Sequence, residues 1–505
     1  MGLRELLNGV RWGVHPHDDH KRPAADVPLR VMPLPARLCV PLLQHVGAPA
    51  LPVVAVGERV LRGQLIAAAQ GNVSAPVHAP SSGVISAIGE VTAPHPSGLP
   101  FSAITIELDG KDEAGELLTP QVDPFSLAPA EVSQRIADAG IVGLGGATFP
   151  SAPKAQLGLK LSVHTLIING GECEPYLSSD DSVMRVRADE VIDGVRILMH
   201  ATGATKALVG IEDNKPEATA AMRKAAEGFA SIEIRPVPAR YPMGSDRQLV
   251  QVLTGKEVPS GARTASIGVL VNNVSTCAAI HRAVRVGEPL YRRIVTVNGG
   301  AVAQPGNVLA PIGVLIEDLL RFVGLKETPA RLVMGGPMMG VALPHAQVPT
   351  VKGCGGILAL TAGEITDTAP SACIRCGSCV KACPMGLLPL ELSAHIHAGE
   401  YDKAEAKGLD DCLACGCCAY VCPSHVPLVQ TFYHAKGEVW KRAQQKKRTE
   451  FTKGLAQARK ERLEREARER VEAAARRKAE RAAQQAAAQQ AATSASANTA
   501  GGASA

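Results

Sequence analysis

The sequence predicts a multidomain protein of mixed α/β and α+β class. Three observations carry this. Short apolar runs punctuated by Gly and Pro fill residues 31–110 and 291–365. Strand-like and helix-like segments alternate between 129 and 290. Two cysteine runs of identical spacing lie within 366–435. At 505 residues the chain has room for about three domains, and its 46% of hydrophobic residues suffices for sizeable cores.

Composition narrows the function classes. Aromatic residues are only 3% of the chain, against 49 Gly and 36 Pro. Neither a fold of long coiled coils nor the stacking platforms of a single-strand nucleic-acid binder is expected. No apolar run reaches the ~18 residues of a membrane span. The first twenty residues lack the apolar core of a signal peptide. A cytoplasmic protein, or one bound only at a membrane surface, is therefore expected. The net charge is +5, but 441–481 alone holds 16 Lys/Arg against 7 Asp/Glu, a net of +9, which leaves the rest at −4. The basic character belongs to one C-terminal segment, so a nucleic-acid-binding core is not expected.

The elements follow in order. Residues 1–30 form an N-terminal arm with little apolar periodicity, in which His15, His17 and His20 read as solvated rather than metal-binding. In 31–110 the runs Leu51–Val56, Gln64–Ala69, Gly83–Ile88 and Ala103–Leu108 have the rhythm of a small β sandwich or barrel. Residues 111–128 are polar and read as a linker. In the α/β segment, helices are expected over Glu131–Ala139, Asp181–His200 and Pro216–Ala230. Strands are expected over Val163–Ile168, Lys206–Ile211 and Ser231–Val237. Such alternation implies a largely parallel sheet covered on both faces. Ligands in these sheets sit at the carboxyl ends of the strands. From 436 the chain is rich in Lys, Arg, Glu and Ala and ends in a low-complexity stretch, so a charged helical tail, disordered at its end, is expected.

The cysteine runs are the strongest signal. Of 13 Cys, nine lie between Cys373 and Cys422, and eight of these form two copies of C-x2-C-x2-C-x3-C-P. The first is Cys373, Cys376, Cys379, Cys383 and Pro384. The second is Cys412, Cys415, Cys418, Cys422 and Pro423. In this spacing the first three thiolates curl around one cubane cluster and the fourth ligates the other. One [4Fe-4S] cluster is then expected on Cys373, Cys376, Cys379 and Cys422, the second on Cys412, Cys415, Cys418 and Cys383. Zinc is the alternative, but it favours paired-cysteine four-ligand sets. Cys417 breaks the spacing and reads as a bystander. Cys39, Cys173, Cys277 and Cys354 read as small packing residues.

Four loops of the α/β segment carry site-like chemistry. The loop Gly143-Leu144-Gly145-Gly146-Ala147-Thr148-Phe149, with Lys154 behind it, offers bare backbone N–H groups and a cation, which suits a phosphate. Asn169, Glu172 and Glu174 follow the strand Val163–Ile168. Tyr241 and Gly244 lie in a third loop, and Asn272, Asn273 and Thr276 in a fourth. An isoalloxazine ring and its ribityl chain need such donors and acceptors.

These four segments, ahead of iron–sulfur cysteines, resemble the FMN- and NADH-binding flavoprotein subunit of respiratory complex I. That flavoprotein lacks two full ferredoxin runs. The segment "GERVLRGQLIA" with "VHAPSSGVISAIGE" resembles a biotinyl/lipoyl-like domain, although its turn Gly71–Pro76 holds no carrier lysine. Residues 291–365 resemble a soluble-ligand-binding β-grasp module, read here as a spacer between sites. The order runs lipoyl-like domain, α/β domain, β-grasp module, two-cluster ferredoxin-like domain and tail. It resembles the RnfC family, the C subunits of the Rnf (also called Rsx) ion-translocating electron transport complexes, over about residues 10–435.

The resemblance implies non-covalent FMN, two [4Fe-4S] clusters and NAD(H) as substrate. It implies that the Gly143–Phe149 loop and Lys154 hold the FMN phosphate and the dinucleotide. Phe149 would stack on a nucleobase, a core phenylalanine being the even alternative. Asn169, Glu172 and Glu174 would line flavin and nicotinamide, and Asn272, Asn273 and Thr276 the ribityl-phosphate end. Two positions depart from the complex I pattern: Gly171 replaces an acidic residue and Thr148 a glycine. No side-chain catalytic base is implied, because a cofactor carries the hydride chemistry. The implied partners are integral membrane subunits and other iron–sulfur and flavin subunits. The implied location is the cytoplasmic side of the bacterial inner membrane, held peripherally. A microcompartment cobalamin reductase shares the domain order and is the alternative enzyme. A non-catalytic iron–sulfur relay is the alternative from another class.

Overall fold

The computed structural model describes residues 10–16 and 18–500, except for the side chains of 496–500. Residues 10–432 form one compact unit, and the remainder of the last helix is described by itself.

The N-terminal arm leads into a short helix α1 (Arg22–Ala25) and strand β1 (Arg30–Val31). The first β module follows. Strands β2 (Arg37–Pro41), β4 (Arg59–Val60), β7 (Gly83–Thr92) and β8 (Pro100–Leu108) form one sheet in the order β2-β8-β7-β4. Strands β3 (Leu51–Pro52), β5 (Leu65–Ala68) and β6 (Val77–His78) form another. Period-2 alternation points Leu38, Val40, Ile104 and Ile106 inward. Gly83 has no alternative here, since a Cβ would stand 2.2 Å from the Glu107 carbonyl oxygen.

The α/β layer begins with helices α2 (Pro129–Asp138) and α3 (Ser151–Lys160). Strand β9 (Thr165–Gly170), helices α4 (Ser179–Val186) and α5 (Ala188–Thr202), strand β10 (Lys206–Glu212), helix α6 (Pro216–Ala225) and strand β11 (Ile232–Val237) come next. Helix α7 (Asp246–Thr254), strand β12 (Val269–Asn273) and helix α8 (Val274–His281) complete it. The sheet order is β11-β10-β9-β12 and every pairing is parallel. Each face has its own core. Leu166 and Ile168 of β9 pack with α2, α3, α5 and α8, whereas Ile167 packs with Leu249 and Leu253 of α7. The helix expected over Asp181–His200 is two helices, broken at Arg187 (φ −137°, ψ 31°). Asp189 and Glu190 sit in the first turn of the second, where acidic groups complement the helix dipole. The helix expected to reach Ala230 stops at Ala225.

The second β module comprises β13 (Arg292–Asn298), β14 (Gly306–Pro311), helix α9 (Ile316–Val323), β15 (Arg331–Met334), β16 (Val341–Leu343) and β17 (Gly356–Leu360). Its mixed sheet runs β1-β14-β13-β17-β15-β16. Strand β1 pairs Arg30 with Val308 and Val31 with Leu309, so the boundary expected at residue 31 cuts through a strand that belongs to this later sheet. Val295, Val297, Val308 and Ile357 share one continuous core with Leu38, Ile66 and Ile85 of the first β module. The module is thus a packing partner of the first domain, and more than a spacer.

The cysteine segment holds four short helices, α10 (Ser378–Ala382), α11 (Pro389–His397), α12 (Tyr401–Ala406) and α13 (Cys417–Tyr420). The final helix α14 runs Leu428–Ala500. The composition predicts partial disorder there, but Ala, Gln, Glu, Lys and Arg are all strong helix formers and sustain the helix through the Ala/Gln runs. Residues 501–505 lie outside the described residues. No helix among the described residues is long and apolar enough to cross a membrane.

Candidate functional site

The sheet topology brings β9 and β12 side by side, so their carboxyl ends open into one site. Asn169 and Asn273 are register partners there. The Asn273 side chain caps α8 by accepting from the Ser275 and Thr276 amides, at 2.9 and 3.3 Å. Its amide nitrogen donates to Asp180, at 2.6 Å. The Gly143–Phe149 loop folds over this cap. The Leu144 amide donates to the Thr276 hydroxyl, at 2.9 Å. A Cβ on Gly145 would come within 3.1 Å of the Asn273 side chain, whereas one on Gly146, at φ +103°, would meet only open space. Thr148 also takes a positive φ, at 46°.

Three features suit an anionic, amide-edged ligand. The Asn272 side-chain nitrogen is buried and has no hydrogen-bond partner, a state that costs energy unless something accepts from it. The Lys154 ammonium donates to the Val271 carbonyl and has no carboxylate partner at ion-pair distance among the described residues. Burial lowers its pKa. Gly146 leaves the space above the loop open. These are the features that FMN, with its phosphate and ring amides, would satisfy. Phe149 is half-buried at the edge of the same loop.

The remaining predicted residues do structural work here. Asn169 accepts from the Gly171 amide and donates to the Gly244 carbonyl, at 2.9 and 2.8 Å, tying two of the loops together. Gly244 is required, because a Cβ would stand 2.4 Å from the Gly171 carbonyl oxygen. Glu172 is buried and its carboxylate accepts from Ser179, Asp180 and Asp181, at the start of α4. The Glu174 carboxylate accepts from the Met338 and Met339 amides, at 3.0 and 2.8 Å, and so reaches the second β module. Burial pushes its pKa up to about 7. Both glutamates, expected to line flavin and nicotinamide, have carboxylates already engaged by backbone amides in this structure.

Sequence reasoning missed several residues. Lys21, from the arm read as lacking periodicity, is buried and donates to the carbonyls of Glu172, Glu174 and Leu177, at 2.7, 2.6 and 2.7 Å. It clamps the loop that follows β9. His20 beside it stacks on Tyr176 with centroids 4.6 Å apart, and His17 lies outside the described residues. Asp180 accepts from Ser275 as well as Asn273, and burial beside Glu172 pushes its pKa up to about 6. No local pattern marks any of these.

The two cysteine runs fold as structural copies. At an offset of 39 residues, Arg375 and Ala414 take φ of 56° and 54°, Gly377 and Gly416 take 74° and 84°, and Gly386 and His425 take 64° and 50°. Each left-handed turn aims an amide at the first thiol of its run: Arg375 donates to Cys373 at 3.4 Å and Ala414 to Cys412 at 3.3 Å. The fourth cysteines exchange sides. Cys379 has Cys376 and Cys422 as electrostatic neighbours, whereas Cys418 has Cys412, Cys415 and Cys383. Burial, reinforced by those three thiols, pushes Cys418 up to about 12. Cys383, Cys412, Cys415 and Cys418 line one pocket together with Leu392, Val429 and Phe432. No three His, Cys, Asp or Glu side chains among the described residues converge on a point that could hold one metal ion. Four thiols from two runs around one pocket suit a cubane, whose ligands come three from one run and one from the other.

Tyr241 joins the two halves. It is buried, and its hydroxyl donates to the Cys415 carbonyl at 2.6 Å. Cys417, read as a bystander, is buried, and its thiol donates to the Tyr241 carbonyl at 3.9 Å. Gln248 of α7 donates to the Pro384 carbonyl, and Gly13 of the arm to the Ala382 carbonyl, both at 3.0 Å.

Relatives of known name match most of this chain in sequence. The C subunit of an ion-translocating oxidoreductase complex from Rhodobacter capsulatus is 49% identical over 86% of this chain and 84% of its own length. The chain belongs to that family. Proteins of the same name from Pseudomonas aeruginosa and Serratia proteamaculans are 47% and 46% identical, over 88% and 90% of this chain and 58% and 64% of theirs. Family profiles match in the order read from the sequence: the RnfC barrel sandwich hybrid domain at 9–111, the Nuo51 FMN-binding domain at 136–282, the SLBB domain at 294–342 and a 4Fe-4S dicluster domain at 372–426. An NAD+-reducing [NiFe]-hydrogenase structure is 22% identical with a TM-score of 0.43, over 57% of each chain. As an RnfC-family member, this chain is an FMN and iron–sulfur electron-transfer subunit of an ion-translocating oxidoreductase complex. The FMN domain match removes the reading of a relay with a merely structural α/β domain.

Proposed function

We propose that this RnfC-family chain is the NAD(H) port of its complex. It exchanges electrons with NAD(H) at the carboxyl edge of β9 and β12 and with partner subunits at its cysteine domain. The observation that carries this is the Tyr241–Cys415 hydrogen bond, which links the Gly244 loop of the flavin site to a cluster-ligand run. FMN, when bound, supplies the conversion between two-electron hydride chemistry and one-electron transfer.

The residues divide the work. Lys154, the Gly143–Gly146 amides, Asn272 and Thr276 hold the phosphate and ribityl end of FMN. Asn169, Asn273 and Gly244 fix the loops around the ring, with Glu172, Glu174 and Lys21 bracing them from behind. Phe149 offers its face to a base of the dinucleotide. Cys412, Cys415, Cys418 and Cys383 hold the cluster nearer the flavin loops, because Tyr241 and Cys417 sit against that run. Cys373, Cys376, Cys379 and Cys422 hold the other, and the exposure of Cys373 and Cys376 turns that run toward an electron partner. The first β module, lipoyl-like without a carrier lysine, serves as scaffold with the β-grasp-like second module. The protein sits peripherally on the cytoplasmic side of the inner membrane. Integral subunits of the complex move the ions, and its iron–sulfur and flavin subunits take the electrons.

The test is anaerobic purification of the full chain followed by NADH addition. About eight irons per chain, bound FMN and bleaching of both chromophores by NADH are expected. Reduction by reduced ferredoxin but not by NADH would overturn the NAD(H) assignment.

A further inference from the structure

We infer that residues 433–460 of α14 form a lipid-facing helix that lies on an anionic membrane surface. The inference rests on the reading of this chain as a peripheral subunit, but names the surface that holds it there.

The observation is a stripe of large apolar side chains in solvent. Tyr433, Trp440, Phe451 and Leu455 are 56%, 65%, 69% and 57% exposed. They are spaced by 7, 11 and 4 residues. At about 100° per residue, all four fall within roughly 60° of the helix circumference. In a chain with only 2 Trp, 7 Phe and 6 Tyr, three of the fifteen stand on this one exposed face.

Charge selects the occupant. Residues 433–460 hold nine Lys/Arg against Glu438 and Glu450, a net of +7. Lys436, Lys441, Lys447, Arg448 and Arg459 lie within about 80° of the stripe's centre, while both glutamates lie more than about 100° away. Long cationic side chains beside an aromatic stripe can bury their stems and keep their charges at the phosphate level. An apolar face flanked by cations is the pattern of a helix lying in the headgroup region of anionic lipid.

The pattern does not fit a second copy of the helix. A coiled coil needs apolar a and d positions sustained over several heptads. Taking Tyr433 and Trp440 as one such position, the next two fall on Lys447 and Gly454. Beyond 460 the pattern ends: residues 461–481 hold eight Lys/Arg and six Glu, and the exposed Leu463 and Val471 turn onto other faces.

The test uses the full, cofactor-loaded chain without its partner subunits. It is mixed with phosphatidylglycerol–phosphatidylethanolamine vesicles or with phosphatidylcholine vesicles, and sedimented. A Trp12→Phe background makes Trp440 the sole fluorescent indole. Binding to the anionic vesicles alone, with a blue shift of Trp440, is expected. The pair Trp440→Ala and Phe451→Ala should weaken binding about tenfold or more, as should Lys441→Glu with Lys447→Glu and Arg448→Glu. Both variants should keep the flavin and cluster spectrum and NADH oxidation, so a failure of folding or of the NAD(H) reading is seen separately. No binding to anionic vesicles, or binding unmoved by either variant, overturns the inference. Loss by the charge variant alone, without a Trp440 shift, also overturns it, as does a dimer that Trp440→Ala dissolves.

Discussion

The Tyr241 hydroxyl donates to the Cys415 carbonyl at 2.6 Å, joining residues 174 positions apart in sequence. The tyrosine belongs to the flavin-site loops and the cysteine to a cluster run. Tyr241→Phe leaves that buried carbonyl without its donor, at a cost of about 1–3 kcal/mol. The expected outcome is normal flavin reduction by NADH with slowed cluster reduction. Stopped-flow traces that follow flavin and cluster absorbance separately check it.

Exchange of the fourth cysteines makes a sharp prediction. Cys383→Ala should remove the same cluster signal as Cys412→Ala, although Cys383 belongs to the other run. Cys422→Ala should match Cys373→Ala. EPR spectra of the reduced variants decide it, since each cluster gives its own signal. Cys417→Ser should keep both, because Cys417 lies outside the ligand spacing and its thiol donates to the Tyr241 carbonyl.

The cysteine runs and glycine loop are legible in the sequence because their chemistry is local. A cubane fixes ligand spacing within one turn of backbone, and a close approach such as Gly244 on the Gly171 carbonyl admits only glycine. The parallel sheet is legible from alternation alone. The roles of Lys21, Asp180 and Tyr241 are not, because their partners lie 93 to 174 residues away, with nothing nearby to mark them. Glu172 and Glu174 stand out by motif, but no local pattern announces their amide partners. Strand β1 reads as part of the wrong module because a two-residue edge strand has no periodicity to read.

Asn272 and Lys154 should separate ligand binding from folding. Asn272→Ala removes a buried nitrogen that already lacks a partner, so the flavin-free protein should lose little stability. FMN affinity should fall about tenfold, the worth of one hydrogen bond. Lys154→Met removes a charge-assisted bond and should weaken FMN by about 10- to 100-fold. Recovery of free-FMN fluorescence on dilution measures both.

Glu174 gives the fold a pH dependence. Its pKa rises from 4.5 to about 7 because burial penalises the carboxylate, an effect the Met338 and Met339 amides only partly offset. The folded state therefore binds this proton more tightly than the unfolded state. That contribution to stability is fully present below the unfolded pKa and is lost as pH rises through about 7. The span of the shift corresponds to about 3 kcal/mol. Glu174→Gln keeps the shape without the titration. Thermal melting between about pH 5 and 8 should show wild-type stability falling relative to Glu174→Gln as pH rises, and the difference levelling above about 7. Parallel curves for the two proteins would mean that Glu174 titrates as an ordinary carboxylate and that the Met338 and Met339 amides hold it charged throughout.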